Sequence, residues 1–186
     1  MALVILDRDG VINKESDDFV RSVDDWVPIP GSIEAIVDLS RSGYRVAIAT
    51  NQSGVGRGLF SLDDLEAIHA RLCQMVEAKG GTIAGIFYCP HAPGEGCACR
   101  KPATGLLHAI EDALGESAAG AAFIGDSLRD LQAARAFGCR AVLVRTGKGR
   151  ATLAALASDG MHMAAWETLP VFDDLAAAAR SILQER

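Results

Sequence analysis

The sequence predicts an α/β fold of three layers, a Rossmann-like parallel sheet covered by helices on both faces. Three observations carry this. Short apolar runs alternate along the chain with segments of helical periodicity, the pattern of strand–helix–strand units. Charged or hydroxyl residues stand where several runs stop, and in open parallel sheets the ligand crevice lies outside the carboxyl ends of the strands. The chain has 186 residues, 49% of them hydrophobic, enough for one domain over 1–186 with a substantial core.

Strand-like runs occur at Leu3–Leu6, Arg45–Ala49, Ile83–Tyr88, Ala121–Ile124 and Ala141–Val144. Helical spacing is expected near Ser32–Arg41 and again after Ser61, where Leu62, Leu65, Ile68, Leu72 and Met75 recur and Ser61 with Asp64 forms a capping box. Gly80-Gly81 ends that helix. Further helices are expected near Leu106–Leu114, Leu128–Phe137 and Val171–Leu183, and beyond about Gly149 only a final strand and helix are anticipated. No internal repeat, low-complexity tract or linker interrupts the pattern.

A formal charge of -6 gives no basic face for nucleic acid, so any anionic ligand must be held by local positive groups. No apolar run approaches membrane-spanning length, and the first strand begins almost at Met1, leaving no room for a signal peptide. A cytoplasmic monomer without nucleic-acid or membrane partners is expected. Five cysteines, an odd number, disfavour a disulfide framework. Cys73 and Cys139 read as ordinary buried residues, and His69, His108 and His162 as structural or surface residues.

The first run stops at Leu6-Asp7-Arg8-Asp9-Gly10-Val11-Ile12-Asn13. A surface pair of carboxylates is the bland alternative, but burial beside a strand calls for compensation, which a divalent cation supplies. Thr50-Asn51-Gln52-Ser53-Gly54 follows the second run and places a hydroxyl and amides at a strand end; Gly54, Gly56 and Gly58 suggest a flexible loop with N–H groups toward an anion. Gly125-Asp126-Ser127-Leu128-Arg129-Asp130 joins the fourth run to a helix. Asp126 is placed as a further anionic Mg2+ contact, with Asp130 organising the site or capping the helix. Between Cys89 and Cys99, Cys89, His91, Cys97 and Cys99 supply three thiolates and an imidazole, a complete tetrahedral Zn2+ shell. Four protein ligands leave no open position, so the ion is expected to be structural, with a free redox-active cluster as the alternative. Arg100-Lys101-Pro102 follows at once: on its own it reads as an exposed basic pair, but anchored to a clamped loop it would be pre-ordered to grip phosphate.

Asp-x-Asp-Gly-x-x-Asn, the strand-end Thr50, Lys101 and Gly125-Asp126-x-x-x-Asp130 together resemble the motifs of the haloacid-dehalogenase-like phosphohydrolases. The Cys-Pro-His-x-Pro through Cys-x-Cys-Arg-Lys-Pro string is similar to a zinc-loop subfamily, with the loop here at 89–99, whose enzymes act on heptose 1,7-bisphosphate or on histidinol phosphate. The resemblance covers Leu6 to about Gly149, including Val144-Arg145-Thr146-Gly147-Lys148-Gly149. It implies Asp7 as nucleophile, Asp9 as general acid and base, and Thr50 and Lys101 as phosphoryl contacts. It further implies Mg2+ on Asp7, Asp126 and the Asp9 carbonyl. Arg100, with Asn51, Gln52, Ser53 and the Glu15-Ser16-Asp17-Asp18 segment, is assigned to substrate. The intervals Asp9–Thr50 and Thr50–Lys101 are largely used by sheet-covering elements, so no large cap domain is expected, and the mouth suits a small phosphosugar. The implied reaction is removal of the C7 phosphate of heptose 1,7-bisphosphate through an aspartyl-phosphate. Histidinol-phosphate phosphatase, a phosphomutase and a non-catalytic zinc-stabilised binding module are the rivals. Ser127 stands where heptose phosphatases often carry Lys, so a positive charge is missing at that position.

Overall fold

A computed structural model describes residues 2–158, 166 and 168–185; His162 lies outside them. Six parallel strands form one sheet: β1 (Ala2–Leu6), β2 (Tyr44–Asn51), β3 (Gly85–Cys89), β4 (Ala122–Gly125), β5 (Arg140–Val144) and β6 (Val171–Phe172), in the order β3-β2-β1-β4-β5-β6. Helices α1 (Ser32–Arg41), α2 (Ser53–Gly56), α3 (Leu62–Glu77), α4 (Gly105–Leu114), α5 (Leu128–Phe137), α6 (Gly149–Ser158) and α7 (Leu175–Gln184) complete it.

Alternation along β1 divides the core. Val4 and Leu6 point into a cluster with Ile33, Ile36 and Leu39 of α1, Ile68 and Leu72 of α3, and Leu175 and Ile182 of α7. Leu3 and Ile5 point the other way, to Leu106, Leu107 and Ile110 of α4 and Ala133 and Ala134 of α5. Successive side chains leave a strand on opposite faces, so a strand covered twice must be apolar throughout. Each fully buried Leu or Ile contributes about 1.5–3 kcal/mol. The capping box of α3 is present: the Ser61 hydroxyl accepts from the Asp64 N–H at 3.1 Å, and Asp64 Oδ2 accepts from the Ser61 N–H at 2.9 Å.

The structure differs from the sequence reading in four places. Val171-Phe172 is not the start of the last helix; it adds to the sheet edge, where the Arg145 N–H donates to the Phe172 carbonyl, and α7 starts after Asp174, whose side chain accepts from the Ala177 N–H at 2.8 Å. Helix α6 was not anticipated, because its buried face is Gly149, Thr152 and Leu156, and two of these three carry no apolar signal. Thr50 and Asn51 belong to β2 itself, and Cys89 closes β3. Gly54 and Gly56 do not belong to a loose anion loop, being in α2, whereas Gly58 follows it in a turn at a φ of +69°. A Cβ on Gly54 would lie 2.1 Å from the Phe60 ring, and one on Gly56 would lie 2.6 Å from the Pro90 carbonyl, so both permit close packing. No helix among the described residues is long and apolar enough to cross a membrane.

Candidate active site

Strand register brings the site together. Leu6 is level with Ile48 of β2 and Ile124 of β4, so Asp7, Thr50 and Asp126 emerge side by side at the carboxyl edge. The Asp7 N–H continues the ladder to the Ile124 carbonyl at 2.9 Å. Above them opens a cavity of about 310 Å³ lined by Asp7, Asp9, Thr50, Lys101, Asp126 and Asp130 at its floor. Glu15, Ser16, Asp17, Asn51, Gln52, Ser53 and Arg100 line its walls. Asp18 does not line it; its carbonyl accepts from Arg21 Nε at 2.6 Å in an exposed turn.

Lys101 is 2% exposed, and its ammonium lies 2.9 Å from Asp7 Oδ1 and 2.6 Å from Asp130 Oδ1. It also donates to the Ala49 carbonyl at 2.8 Å. Burial pulls the ammonium down, but Asp130 and Asp7 outweigh it and Lys101 titrates above its ordinary value. Asn51 fixes the backbone there, accepting from the Lys101 N–H at 3.0 Å and donating to its carbonyl at 3.1 Å. Asp130 accepts from the Ser127 N–H and hydroxyl, at 3.0 and 2.6 Å, so one carboxylate caps α5 and pairs with the Lys101 ammonium.

Asp9 is gripped from three sides. Arg8 Nε and Nη2 donate to its Oδ1 at 3.2 and 3.0 Å, Asn13 Nδ2 donates to Oδ1 at 2.8 Å, and Gln52 Nε2 donates to Oδ2 at 2.7 Å. Gln52 Nε2 also donates to Thr50 Oγ1 at 3.0 Å. Burial pushes the Asp9 carboxyl up, but Arg8, Asn13 and Gln52 outweigh it and hold it below the usual range.

Asp7 and Asp126 behave in the opposite way. Burial, then the Asp130 charge, pushes Asp7 up to about 7 against the pull of Lys101. Burial, then Asp7 and Asp130, pushes Asp126 up to about 8. Ligand oxygens of Asp7, Asp126 and Asp130 lie within 4.8 Å of one another. Such an excess of buried negative charge fits a divalent cation with oxygen ligands. Glycine leaves room for the Asp126 carboxylate itself: a Cβ on Gly10 or on Gly147 would lie 2.1 Å from Asp126 Oδ2, and both have positive φ. The Lys148 N–H orients Asp126 by donating to Oδ2 at 2.7 Å.

The Cys89, His91, Cys97 and Cys99 ligand atoms also gather within 4.8 Å. Cys99 Sγ is 3.1 Å from Cys89 Sγ and 3.2 Å from His91 Nδ1, and Cys97 Sγ is 3.6 Å from Cys89 Sγ. A tetrahedral Zn2+ with sulfur at about 2.3 Å spaces its ligands by roughly 3.5–3.8 Å; Cys89 stands at that spacing from Cys97 and His91, while Cys99 lies a few tenths of an ångström closer to its neighbours. Three thiolates and an imidazole gathered in this way fit a closed, structural Zn2+ site. The loop is pinned at both ends, by the Gly56 N–H to the Pro90 carbonyl at 2.9 Å and the Gly105 N–H to the Ala98 carbonyl at 3.0 Å.

Several residues with a place in this site escaped sequence reasoning. Arg57, Arg129 and Lys148 line the cavity and supply the positive charge that Ser127 lacks. Arg129 is two residues beyond Ser127 in the first turn of α5, and a lone basic residue in a helix carries no signal of its own. Lys148 pairs with Glu15 across the mouth. Arg8, wholly buried, and Asn13 serve Asp9. His108 makes only an edge contact with Phe137, and Cys139 donates to the Ala118 carbonyl.

Two family models match the chain: one described as HAD-hydrolase-like over residues 98–178, and one as polynucleotide kinase 3 phosphatase over residues 2–136. A D-glycero-beta-D-manno-heptose-1,7-bisphosphate 7-phosphatase of Pseudomonas aeruginosa is 52% identical, over 98% of this chain and 98% of the relative. Its namesake in Bordetella bronchiseptica is 48% identical over 100% and 99%. A crystal structure of D,D-heptose 1,7-bisphosphate phosphatase from B. bronchiseptica, complexed with magnesium and phosphate, superposes with a TM-score of 0.91 at 47% identity and full coverage of both chains. Identity of this degree over whole chains, on top of the shared fold, establishes that the chain belongs to the haloacid-dehalogenase-like hydrolases, in the family of the D-glycero-beta-D-manno-heptose-1,7-bisphosphate 7-phosphatases.

Proposed function

We propose that this chain is a Mg2+-dependent phosphatase that removes the C7 phosphate of D-glycero-D-manno-heptose 1,7-bisphosphate, with Asp7 as nucleophile. The observation that carries the reading is the Asp7 carboxylate. It is held 2.9 Å from the Lys101 ammonium at the floor of a cavity whose walls bear Arg57, Arg100 and Arg129. A carboxylate that takes up phosphorus needs positive charge at the floor for the transferred group. A bisphosphate needs more at the rim.

Asp7 and Asp126, with the Asp9 carbonyl, would hold Mg2+, which when bound lowers the charge of the carboxylates and of the phosphoryl oxygens. Asp7 attacks phosphorus in line; the bond from phosphorus to the C7 oxygen breaks, and that oxygen takes a proton from Asp9. Lys101 and the Thr50 hydroxyl meet charge on the equatorial oxygens. Water then attacks phosphorus, gives a proton to Asp9, and the bond from phosphorus to Asp7 breaks. The ionised resting state of Asp9 suits this second step. The negative charge of an arriving phosphate opposes Arg8 and favours the protonated form that the first step requires.

Arg100 with Arg57 and Arg129 receives the C1 phosphate, and Glu15, Ser16 and Asp17 face the sugar hydroxyls. The chain acts as a single catalytic domain over 1–186, as a monomer in the cytoplasm, without nucleic-acid or membrane partners. Phosphate release from both anomers of heptose 1,7-bisphosphate, from histidinol phosphate and from fructose 1,6-bisphosphate tests the substrate. A higher kcat/KM on histidinol phosphate than on either heptose anomer would replace the heptose reading while leaving the chemistry in place.

A further inference from the structure

Arg8 stands between the two aspartates of the first motif and is 0% exposed, and it does not itself line the cavity. A fully buried guanidinium is costly unless its donors are used. Its Nε and Nη2 go to Asp9. Its third nitrogen, Nη1, lies 3.2 Å from Nε2 of His69, a residue far along the chain in the middle of α3. Since guanidinium nitrogens only donate, His69 Nε2 is the acceptor and carries no proton. His69 is itself 8% exposed, with its ring 5.6 Å from that of Tyr88 on β3, so it is packed on the side away from solvent beside Arg8. Burial, then the charge of Arg8, pushes the imidazole down to about 3, so the acceptor stays neutral at working pH.

We propose that His69 is a positioning residue for the proton transfer of Asp9: through Arg8 it fixes the direction in which the Asp9 carboxyl faces the cavity. The chain of contacts runs from α3 through a buried cation to the carboxylate. Arg8 has two hydrogen-bonding directions satisfied by Asp9 and one by His69, so its plane is defined at both ends. Without His69 the guanidinium keeps its charge and loses one anchor, so the side of the Asp9 carboxylate that Arg8 holds is less sharply placed, while Asn13 and Gln52 keep their bonds to it. Proton transfer depends on sub-ångström placement, whereas Lys101, held by Asp7, Asp130 and the Ala49 carbonyl, touches neither Arg8 nor His69.

The inference rests on the reading of Asp9 as the proton donor, and leaving-group chemistry separates the two. A sugar oxygen needs a proton to depart; p-nitrophenolate does not. Hydrolysis of heptose 1,7-bisphosphate and of p-nitrophenyl phosphate is measured as kcat/KM, which covers only the steps up to departure, for His69→Leu, His69→Gln and Asp9→Asn at saturating Mg2+. His69→Leu is expected to lose at least tenfold on the sugar ester and less than threefold on the aryl ester, with the Mg2+ activation constant, read from a separate Mg2+ titration, unchanged. His69→Gln, whose amide oxygen accepts from Arg8, is expected to recover to within threefold of the parent. Equal losses of His69→Leu on both esters, no loss on either, or a His69→Gln no better than His69→Leu overturns the inference. If Asp9→Asn slows both esters alike, the donor reading itself falls, independently of His69. Should His69→Leu not fold, His69→Asn, which draws the acceptor back from Arg8, takes its place with the same outcomes.

Discussion

Replacing Arg100 by Ala offers the sharpest test of substrate recognition. Arg100 is half-buried on the cavity wall, directly after the last zinc ligand, and its guanidinium donates only a 3.4 Å bond to the His91 carbonyl. Burial and the charge of Arg129, with a further contribution from Arg57, lower its pKa, so these cations repel one another until an anion arrives. A hydrogen bond to a charged group contributes about 1.5–3 kcal/mol. The wall position is open to solvent, which places the loss at the lower end, roughly tenfold to thirtyfold in affinity. The assay is phosphate release from heptose 1,7-bisphosphate and from heptose 7-phosphate, with Lys101→Met as the contrast. Arg100→Ala should cost the bisphosphate that factor in kcat/KM and the monophosphate less than threefold. Lys101→Met acts on the transferred group and should cost both about 10²–10³-fold, the typical effect of removing one donor to developing charge. Equal losses of Arg100→Ala on both substrates would refute the assignment of the rim cations to the distal phosphate.

Asp7→Asn should leave the fold intact and reduce turnover to background, because an amide is a poor nucleophile; full Mg2+-dependent turnover in the folded variant would exclude covalent catalysis by Asp7. Cys99→Ser should lower the zinc content seen by elemental analysis and reduce thermal stability. A loss of about 3 kcal/mol appears as a Tm drop of roughly 6–12 °C, and an unchanged Tm in zinc-free protein would contradict a structural ion. Gly10→Ala should raise the Mg2+ concentration needed for half-maximal activity at least tenfold. The added methyl would fall 2.1 Å from Asp126 Oδ2 at a φ of +82°, and unchanged Mg2+ activation would show that the glycine is dispensable. Without Mg2+, stability should decline as pH rises between about 4 and 8. The folded carboxyls of Asp7 and Asp126, raised to about 7 and about 8, keep protons in that window that the unfolded chain has released. Added Mg2+ should therefore raise Tm more at pH 8 than at pH 5, measured without a chelator so that zinc stays in place; the reverse order would contradict the charge balance described here.

Much of this site was legible because its parts sit at strand ends, where an apolar run stops abruptly. Asp7, Thr50 and Asp126 are visible for that reason, and the zinc ligands because four metal-binding side chains crowd one short loop. What escaped was carried by residues whose partners are distant. Nothing in the string around His69 announces a contact with Arg8, sixty-one positions away. Arg57 and Arg129 look like ordinary surface cations until α2 and α5 bring them to one wall. Helix α6 was hidden by a glycine on its buried face, where a Cβ would lie 1.7 Å from the Val144 carbonyl. The short strand β6 was read as helix because two residues are too few to show a period.

The position of Cys89 has a consequence for how the sheet comes apart. Among the described residues β3 is a border strand, paired with β2 alone, and its last residue is Cys89, the first of the four side chains that fit a zinc ion. The opposite border, β6, is two residues long, too short to template another chain. β3 has no such protection in its length, and its free end is the place where unzipping would begin. A metal fastened there ties fraying of the border to metal loss. Zinc depletion should first show as faster amide exchange over Gly85–Cys89, before β1 and β4 respond.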